Sequence, residues 1–313
     1  MPSLTVAVTA GRNSEKIASL LGHLRRQTIA SEMEVIVVSL ASSMPDLSAH
    51  ADGLDLVVIH HPGRTDFGHA RAEATRRARS PFVAFLEDHT APAPVWAEQV
   101  REAFLRAGPE ITAVTYAFTN ASPDTYLYRS AFMAEYGNLG DPLPEGPPPS
   151  TTANNIAYRR DALLAAGPEL DALLEIDFFL QKRMKDRFRC VTAPRAILAH
   201  QTNTFLGELI RIHFSYALLF ASRRVQHEGW SPGKRFLLAP IVPFAVPLLR
   251  LRRLFQAVRG RPPLPAEAGK ALPLILLLYC AGGLGEAAGL VRGAGVSGRL
   301  LVWMELEAER ASR

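Results

Sequence analysis

Two runs, Val35-Ile36-Val37-Val38 after Glu34 and Phe82-Val83-Ala84-Phe85-Leu86, are apolar at consecutive positions. A strand that is apolar on both pleats must be covered on both faces, so these runs demand layers above and below a sheet. Leu4–Thr9 alternates and reads as a first strand, and Leu54–Ile59 reads as a third. Between them lie helical patterns. Gly11-Arg12-Asn13-Ser14 is a turn with Ser14 as N-cap, and Glu15 to Gln27 carries Ile17, Leu20, Leu21 and Leu24 at helical spacing. Gly68 to Arg79 is an Ala- and Arg-rich helix before the run opened by Pro81. This rhythm predicts a doubly wound α/β domain.

Further on, Trp96 to Arg106 reads as a helix after Pro92 and Pro94, Ile111–Phe118 as a strand, and Pro142 to Pro149 as a loop. Ile156–Tyr158 is a short strand, Arg160–Ala166 and Ile176–Lys185 start helices, and Val191 and Ile197–Ala199 are short β candidates. The composition shifts after His200. Phe205–Ser222 is an amphipathic, aromatic-rich helix. Phe236–Leu249 is apolar but broken by Pro240, Pro243 and Pro247, and Ala271–Leu284 is apolar and followed by Glu286. Both runs fall short of the ~20 residues of a spanning helix. They read as re-entrant, interfacial or kinked segments, as a hairpin of two spans extended by its flanks, or as a buried soluble helix pair.

Between Leu209 and Pro262 there are ten Lys or Arg, and Glu228 is the one acidic residue. Basic residues among apolar runs suit an anionic membrane surface, and no nucleic-acid motif accompanies them. A basic linker around buried helices is the plainer alternative. The 2 cysteines, Cys190 and Cys280, lie far apart and give neither a disulfide framework nor a zinc pattern, which fits a reducing compartment. The opening residues lack a basic and long apolar leader and read as a strand. The expected division is residues 1–204 and residues 205–313.

The chemistry concentrates at Glu87, Asp88 and His89, where the run Phe82–Leu86 ends. Ligands of open α/β sheets bind outside the carboxyl ends of strands. Two carboxylates and an imidazole there can hold a divalent cation, which in turn can hold a diphosphate. Asp88 is the first choice of ligand, with Glu87 or His89 assisting. The alternative is a strand end leading into a helix N-cap. His200, after a strand-like run, is either a later metal or phosphate contact or a structural histidine. Asp177 precedes Phe178, Phe179 and Leu180, an apolar wall able to raise its pKa toward that of a general base. Glu175 competes for that role. Alternatively both are charges favoured at a helix N-terminus. Arg183, further along, pairs with a carboxylate or is solvated. Arg71 is a phosphate contact or one arginine of a basic helix, and Asn154-Asn155, before a strand, suits a turn.

The order of these segments resembles the family 2 glycosyltransferases, over roughly residues 4 to 215. Val6-Ala7-Val8-Thr9-Ala10-Gly11-Arg12-Asn13 resembles the family's first strand and turn, Gln27-Thr28 its first helix end, and Glu34–Val38 its second strand. Leu86-Glu87-Asp88-His89 stands where the family carries Asp-x-Asp, followed by Pro92 and Pro94-Val95-Trp96. Asn154-Asn155-Ile156-Ala157-Tyr158-Arg159-Arg160-Asp161 and Glu175-Ile176-Asp177 with Arg183 resemble its later motifs. There are departures. Ser39 replaces an Asp that contacts base or ribose, Arg71 is kept without the following Asn, and the metal motif is Glu-Asp-His.

The resemblance implies a GT-A fold, a Rossmann-like mixed sheet flanked by helices, with a membrane-associated helical C-terminal region. It implies a nucleotide-sugar donor, a UDP-sugar, contacted by Thr9, Arg12, Asn13, Ser39, Arg71, Glu87, Asp88, Asn154 and Asn155. It implies Mg or Mn held by Asp88, His89 and His200, and inverting transfer with Asp177 or Glu175 as base. The acceptor would be a lipid-linked sugar or polysaccharide at the cytoplasmic face of the cell membrane. A catalytically degenerate binding or scaffold protein is the alternative. A nucleotidyltransferase ranks lower, because Ala10-Gly11-Arg12-Asn13 is a poor version of its Gly-rich opening.

Overall fold

The two apolar runs become β2 and β4, which flank β1 in one eight-stranded sheet of order β3-β2-β1-β4-β7-β6-β8-β5. The structure is a computed structural model that describes residues 1–44, 46–62, 66–152, 154–202, 205–295, 297–302 and 304. Along the chain, β1 (Leu4–Ala10) leads through α1 (Ser14–Arg25) to β2 (Met33–Ser39) and β3 (Asp55–His60). α2 (Phe67–Arg77) precedes β4 (Phe82–Glu87), β5 (Thr90–Pro92) and α3 (Trp96–Ala107). Then come β6 (Ala113–Asn120), α4 (Tyr126–Tyr136), β7 (Ile156–Arg159) and α5 (Arg160–Leu164). α6 (Leu170–Glu175), α7 (Asp177–Met184) and β8 (Cys190–His200) complete the sheet region. The helices α8 (Leu206–Glu228), α9 (Pro232–Leu238), α10 (Val242–Val258), α11 (Leu264–Arg292) and α12 (Ser297–Val302) follow.

Two compact units result. Residues 1–121 and 141–201 form the first, and residues 122–140 and 202–313 the second. The excursion 122–140, which carries α4, therefore packs with the C-terminal helices and not with the sheet around it in sequence. The expected boundary at residue 204 lies outside the described residues.

In the first unit β1, β2, β3 and β4 are parallel, with β2 on one side of β1 and β4 on the other. Chain direction across the sheet thus reverses beside β1, the arrangement that opens a crevice at the carboxyl ends of strands. Ala10 lies opposite Ser39, and Thr9 opposite Glu87. β7 runs antiparallel to both β4 and β6, so the sheet is mixed as the resemblance implied. Val191 and Ile197–Ala199 turn out to be parts of one strand, β8, whose register against β6 shifts between Tyr116 and Ala117. Asn13, not Ser14, caps α1, accepting the Lys16 N–H at 3.1 Å. Gly68 lets α2 press against α6, because a Cβ there would lie 2.0 Å from the Asp171 carbonyl oxygen.

In the second unit the apolar run Ala271–Leu284 is part of the 29-residue α11, so the expectation of a run too short to span fails. Pro273 lies inside this helix without ending it. Among the described residues α11 is the one helix long and apolar enough to cross a membrane by length and composition. One of its faces is packed. Gly285 and Gly289 meet the carbonyls of Phe214 and Leu218 on α8 so closely that a Cβ would stand 2.1 and 2.3 Å away. Leu274 and Leu278 bury against Ala131 of α4 and Leu209 of α8, and Glu286 pairs with Arg250 of α10 at 3.3 Å. The buried Arg261 donates to the carbonyls of Asn138, Ala257 and Gly140, tying the end of the 122–140 excursion to the α10–α11 turn.

Candidate active site

β4 ends at Glu87, and the chain turns at Asp88-His89 straight into β5. No helix starts there, so the N-cap alternative for this segment fails. The next helix opens at Trp96. Thr90 pairs with His200 across β5 and β8, and Gln201 N–H donates to the His89 carbonyl at 3.1 Å. That pairing carries the last residue of β8 to the end of β4.

Glu87, His89 and His200 converge there, each offering one ligand atom, all within 4.8 Å of one another. Glu87 Oε2 lies 3.3 Å from His200 Nε2 and 3.9 Å from His89 Nε2. The side chains of Asn154 and Asn155 donate to Glu87 Oε1 and Oε2, each at 2.6 Å. Burial pushes the Glu87 carboxyl up, but the hydrogen bond from His200, the charges of His89 and His200, and the Asn155 amide outweigh it. The carboxyl is held well below its usual range.

Asp88 stands apart from this trio. One of its oxygens accepts the Gly11 N–H at 2.8 Å, and the other faces His89 Nδ1 at 3.1 Å. Asp88, in the turn after β4, is thus directed to the Gly11 N–H beyond β1 and lies outside the group formed by Glu87, His89 and His200. Asp88, expected to lead the ligand set, has its oxygens engaged by the Gly11 N–H and by His89 Nδ1. Glu87 and His89 occupy the outer positions of the three-residue motif, and Asp88 supports from behind. A proton on His89 Nδ1 satisfies Asp88 and leaves Nε2 with a lone pair aimed at Glu87 and His200, as metal-binding histidines are commonly oriented. Two imidazole nitrogens and a carboxylate form a donor set that fits a divalent cation.

Asp177 opens α7 and is buried. Gln181 Nε2 donates to its Oδ2 at 2.7 Å, and the Tyr158 hydroxyl approaches the same oxygen at 3.5 Å. Burial raises its pKa to about 6, against the lowering influence of the Arg71 charge and these hydrogen bonds. The expected apolar wall is only partly formed. Phe179 and Leu180 are buried, while Phe178 turns outward, as successive residues of a helix do. Glu175 ends α6 half-buried. Arg183 pairs at the exposed surface with Glu169 at 3.4 Å.

Arg71 is buried, and its guanidinium donates to the Leu174 carbonyl at 2.8 Å and to Asn154 Oδ1. It therefore connects α2, α6 and the amide that holds Glu87. Sequence reading offered it as a phosphate contact and missed this bracing role. Ser39 is fully buried, and its hydroxyl accepts the Ala41 N–H at 3.3 Å. Thr9, half-buried, is the penultimate residue of β1, and Arg12 and Asn13 beyond its carboxyl end are exposed. Tyr158 and Gln181 were not singled out from sequence, since only the folded chain carries them to Asp177.

A family model described as "Glycosyl transferase family 2" matches residues 5–165. Comparison with curated proteins finds no match. Among solved structures, the chain is similar to the mannosyltransferase PcManGT from Pyrobaculum calidifontis, solved in complex with GDP-Man and Mn2+. The two are 19% identical with a TM-score of 0.52, over 95% of this chain and 87% of that one. It is also similar to residues 1–349 of S. aureus TarS in complex with UDP, at 17% identity and a TM-score of 0.46, over 88% of this chain and 90% of that one.

Proposed function

Because the chain belongs to glycosyl transferase family 2, we propose that it is an inverting transferase whose donor is a nucleoside-diphosphate sugar, a UDP-sugar first among them. The observation that carries this reading is the convergence of Glu87, His89 and His200 at the carboxyl end of β4. A divalent cation held by these three side chains would neutralise the leaving diphosphate. Two of its three protein ligands would be imidazoles, which favours Mn over Mg, an ion that prefers oxygen.

Asp177 acts as general base. Its buried carboxylate takes the proton of the acceptor hydroxyl as that oxygen bonds to the anomeric carbon. The bond from that carbon to the diphosphate oxygen breaks, its electrons leave with the nucleoside diphosphate, and a single displacement inverts the anomeric centre. Gln181 and Tyr158 orient the carboxylate. Thr9, Arg12 and Asn13 lie where the nucleotide would enter, and Asn154 and Asn155 hold Glu87 in place. The basic, apolar second unit favours a lipid-linked or polysaccharide acceptor at the cytoplasmic membrane face.

A panel of UDP- and GDP-sugars tests the reading. Donor hydrolysis or transfer that collapses in Asp177→Asn is expected. Inactivity with every donor, or wild-type turnover by Asp177→Asn, would sink it. A second reading, a binding protein without turnover, draws on the buried Ser39 and the internally engaged Arg71. Calorimetry separates the two, since metal-dependent UDP binding together with turnover excludes it.

A further inference from the structure

We propose that α9 and the first half of α10 form an in-plane docking face for an anionic bilayer, and that α11 does not cross it. This deepens the membrane reading above and rests on it. The face is built from two neighbouring helices. Phe236 and Leu237 on α9 are exposed, as are Ile241, Phe244 and Leu248 beyond Pro240. Phe244 is 74% exposed, Leu248 67% and Leu237 69%, values that large apolar side chains of a water-facing helix seldom reach together.

Along α10 these residues recur every three or four positions, so Ile241, Phe244, Leu248 and Phe255 share one side. The buried residues Pro247, Leu254 and Val258 lie on the adjoining flank, about a quarter-turn round the helix, and face the unit's own core. α10 is thus amphipathic with its apolar stripe turned outward.

Charge identifies the occupant. α9 and α10 contain no Asp or Glu. Lys234 on α9 and Arg252, Arg253 and Arg259 beyond the apolar half of α10 are exposed. Apolar side chains fringed by cations match an anionic lipid surface, with the apolar groups at the headgroup boundary and the cations at the phosphates. A water-facing partner protein would have to cover the same leucines and phenylalanines with a surface both apolar and acidic.

α11 passes the length and composition test for a span, but its small-residue face is locked against α8 at Gly285 and Gly289. Its Glu286 is paired with Arg250 inside the unit. Its exposed leucines, Leu272, Leu276, Leu277 and Leu284, form only one side of the helix. Small-residue packing and a paired carboxylate also occur in spanning helices, but 61% of the apolar window of α11 is covered by the protein itself, which leaves little of it for lipid.

Flotation of the full-length protein with phosphatidylcholine vesicles, with and without phosphatidylglycerol, tests this. The wild type is expected to float with the anionic vesicles and to be released by salt and alkaline carbonate. Phe244→Asn/Leu248→Asn should weaken that binding by about tenfold or more with an unchanged melting temperature. Arg252→Gln/Arg253→Gln should weaken it only on anionic vesicles. Retention through carbonate would overturn the proposal in favour of a spanning α11. Wild-type binding by the Phe244/Leu248 variant would overturn the assigned face, as would conversion of a wild-type dimer to a monomer by that variant. Failure of the wild type to float with either vesicle would remove the membrane reading itself.

Discussion

His89 and His200, 111 residues apart in sequence, bring their Nε2 atoms within 3.1 Å of each other, with their rings edge-to-face at 4.8 Å. Held by an ion, both rings would be neutral and would turn their Nε2 lone pairs to it. The first prediction follows from this pair. His200→Ala and His89→Ala should each weaken Mn2+ binding by about a hundredfold or more, while Asp88→Asn, which only loosens the hold on His89, should cost about ten- to a hundredfold. Titration calorimetry of Mn2+ measures the order. Equal losses at Asp88 and His200 would count against the assignment. Chelation should abolish transfer, and Mn2+ should restore it better than Mg2+.

A base with a raised pKa leaves two signatures. With Asp177 at about 6 in the folded protein, kcat should fall about tenfold per pH unit on the acid side of that value. Asp177→Asn should lower kcat by about a hundred- to ten-thousandfold. Stability moves in the opposite sense. Because the folded value lies above the ordinary 3.8, the folded state holds the extra proton between those two values. Stability therefore falls as pH rises through that window and stays lower above it. Asp177→Asn should thus be more stable than wild type at pH 8, by about 1–3 kcal/mol, and similar near pH 4. Thermal melts at the two pH values check this.

Arg71 adds a third test, since its charge opposes the upward push on Asp177. Arg71→Met should move the acid limb of the rate profile to higher pH. It should also free Asn154, one of the two amides on Glu87. A limb that stays at about 6 would deny the coupling.

Gly68 offers a purely steric test. A methyl group there meets backbone of Asp171 and Glu175 and cannot be relieved by a side-chain rotation. Gly68→Ala should cost about 1–3 kcal/mol by urea unfolding. It should also reduce kcat by shifting α6, which leads directly into Asp177.

The layered fold and its strands could be read from the chain because fully apolar strands and amphipathic helices leave a local periodic signal. β5 could not, since three residues containing a proline carry no period and are held by pairing with β8. α4 was missed because its apolar side faces helices that follow some seventy residues or more later in the sequence. At the site, the positions Glu87, His89, His200 and Asp177 were all legible as residue types. Which of Glu87, Asp88 and His89 converge with His200 was not, because acidity suggested Asp88 while the turn after β4 brings its oxygens to the Gly11 N–H and His89 Nδ1. The turned-out Phe178 and the internal bonds of Arg71 likewise depend on packing that no local pattern encodes.

β8 contributes the partner of β5, one neighbour of β6, and His200. The matched segment, residues 5–165, ends before all of these and before Asp177. During synthesis the first strands can pair while the chain is still growing, but His200, the third of the proposed ligands, emerges only after them and after α4. A nascent or truncated chain ending with the matched segment would carry a recognisable nucleotide-binding half, an unpaired sheet edge at β6, and no competent centre. The proposed centre is therefore complete only once the body of the first unit, through β8, has been made.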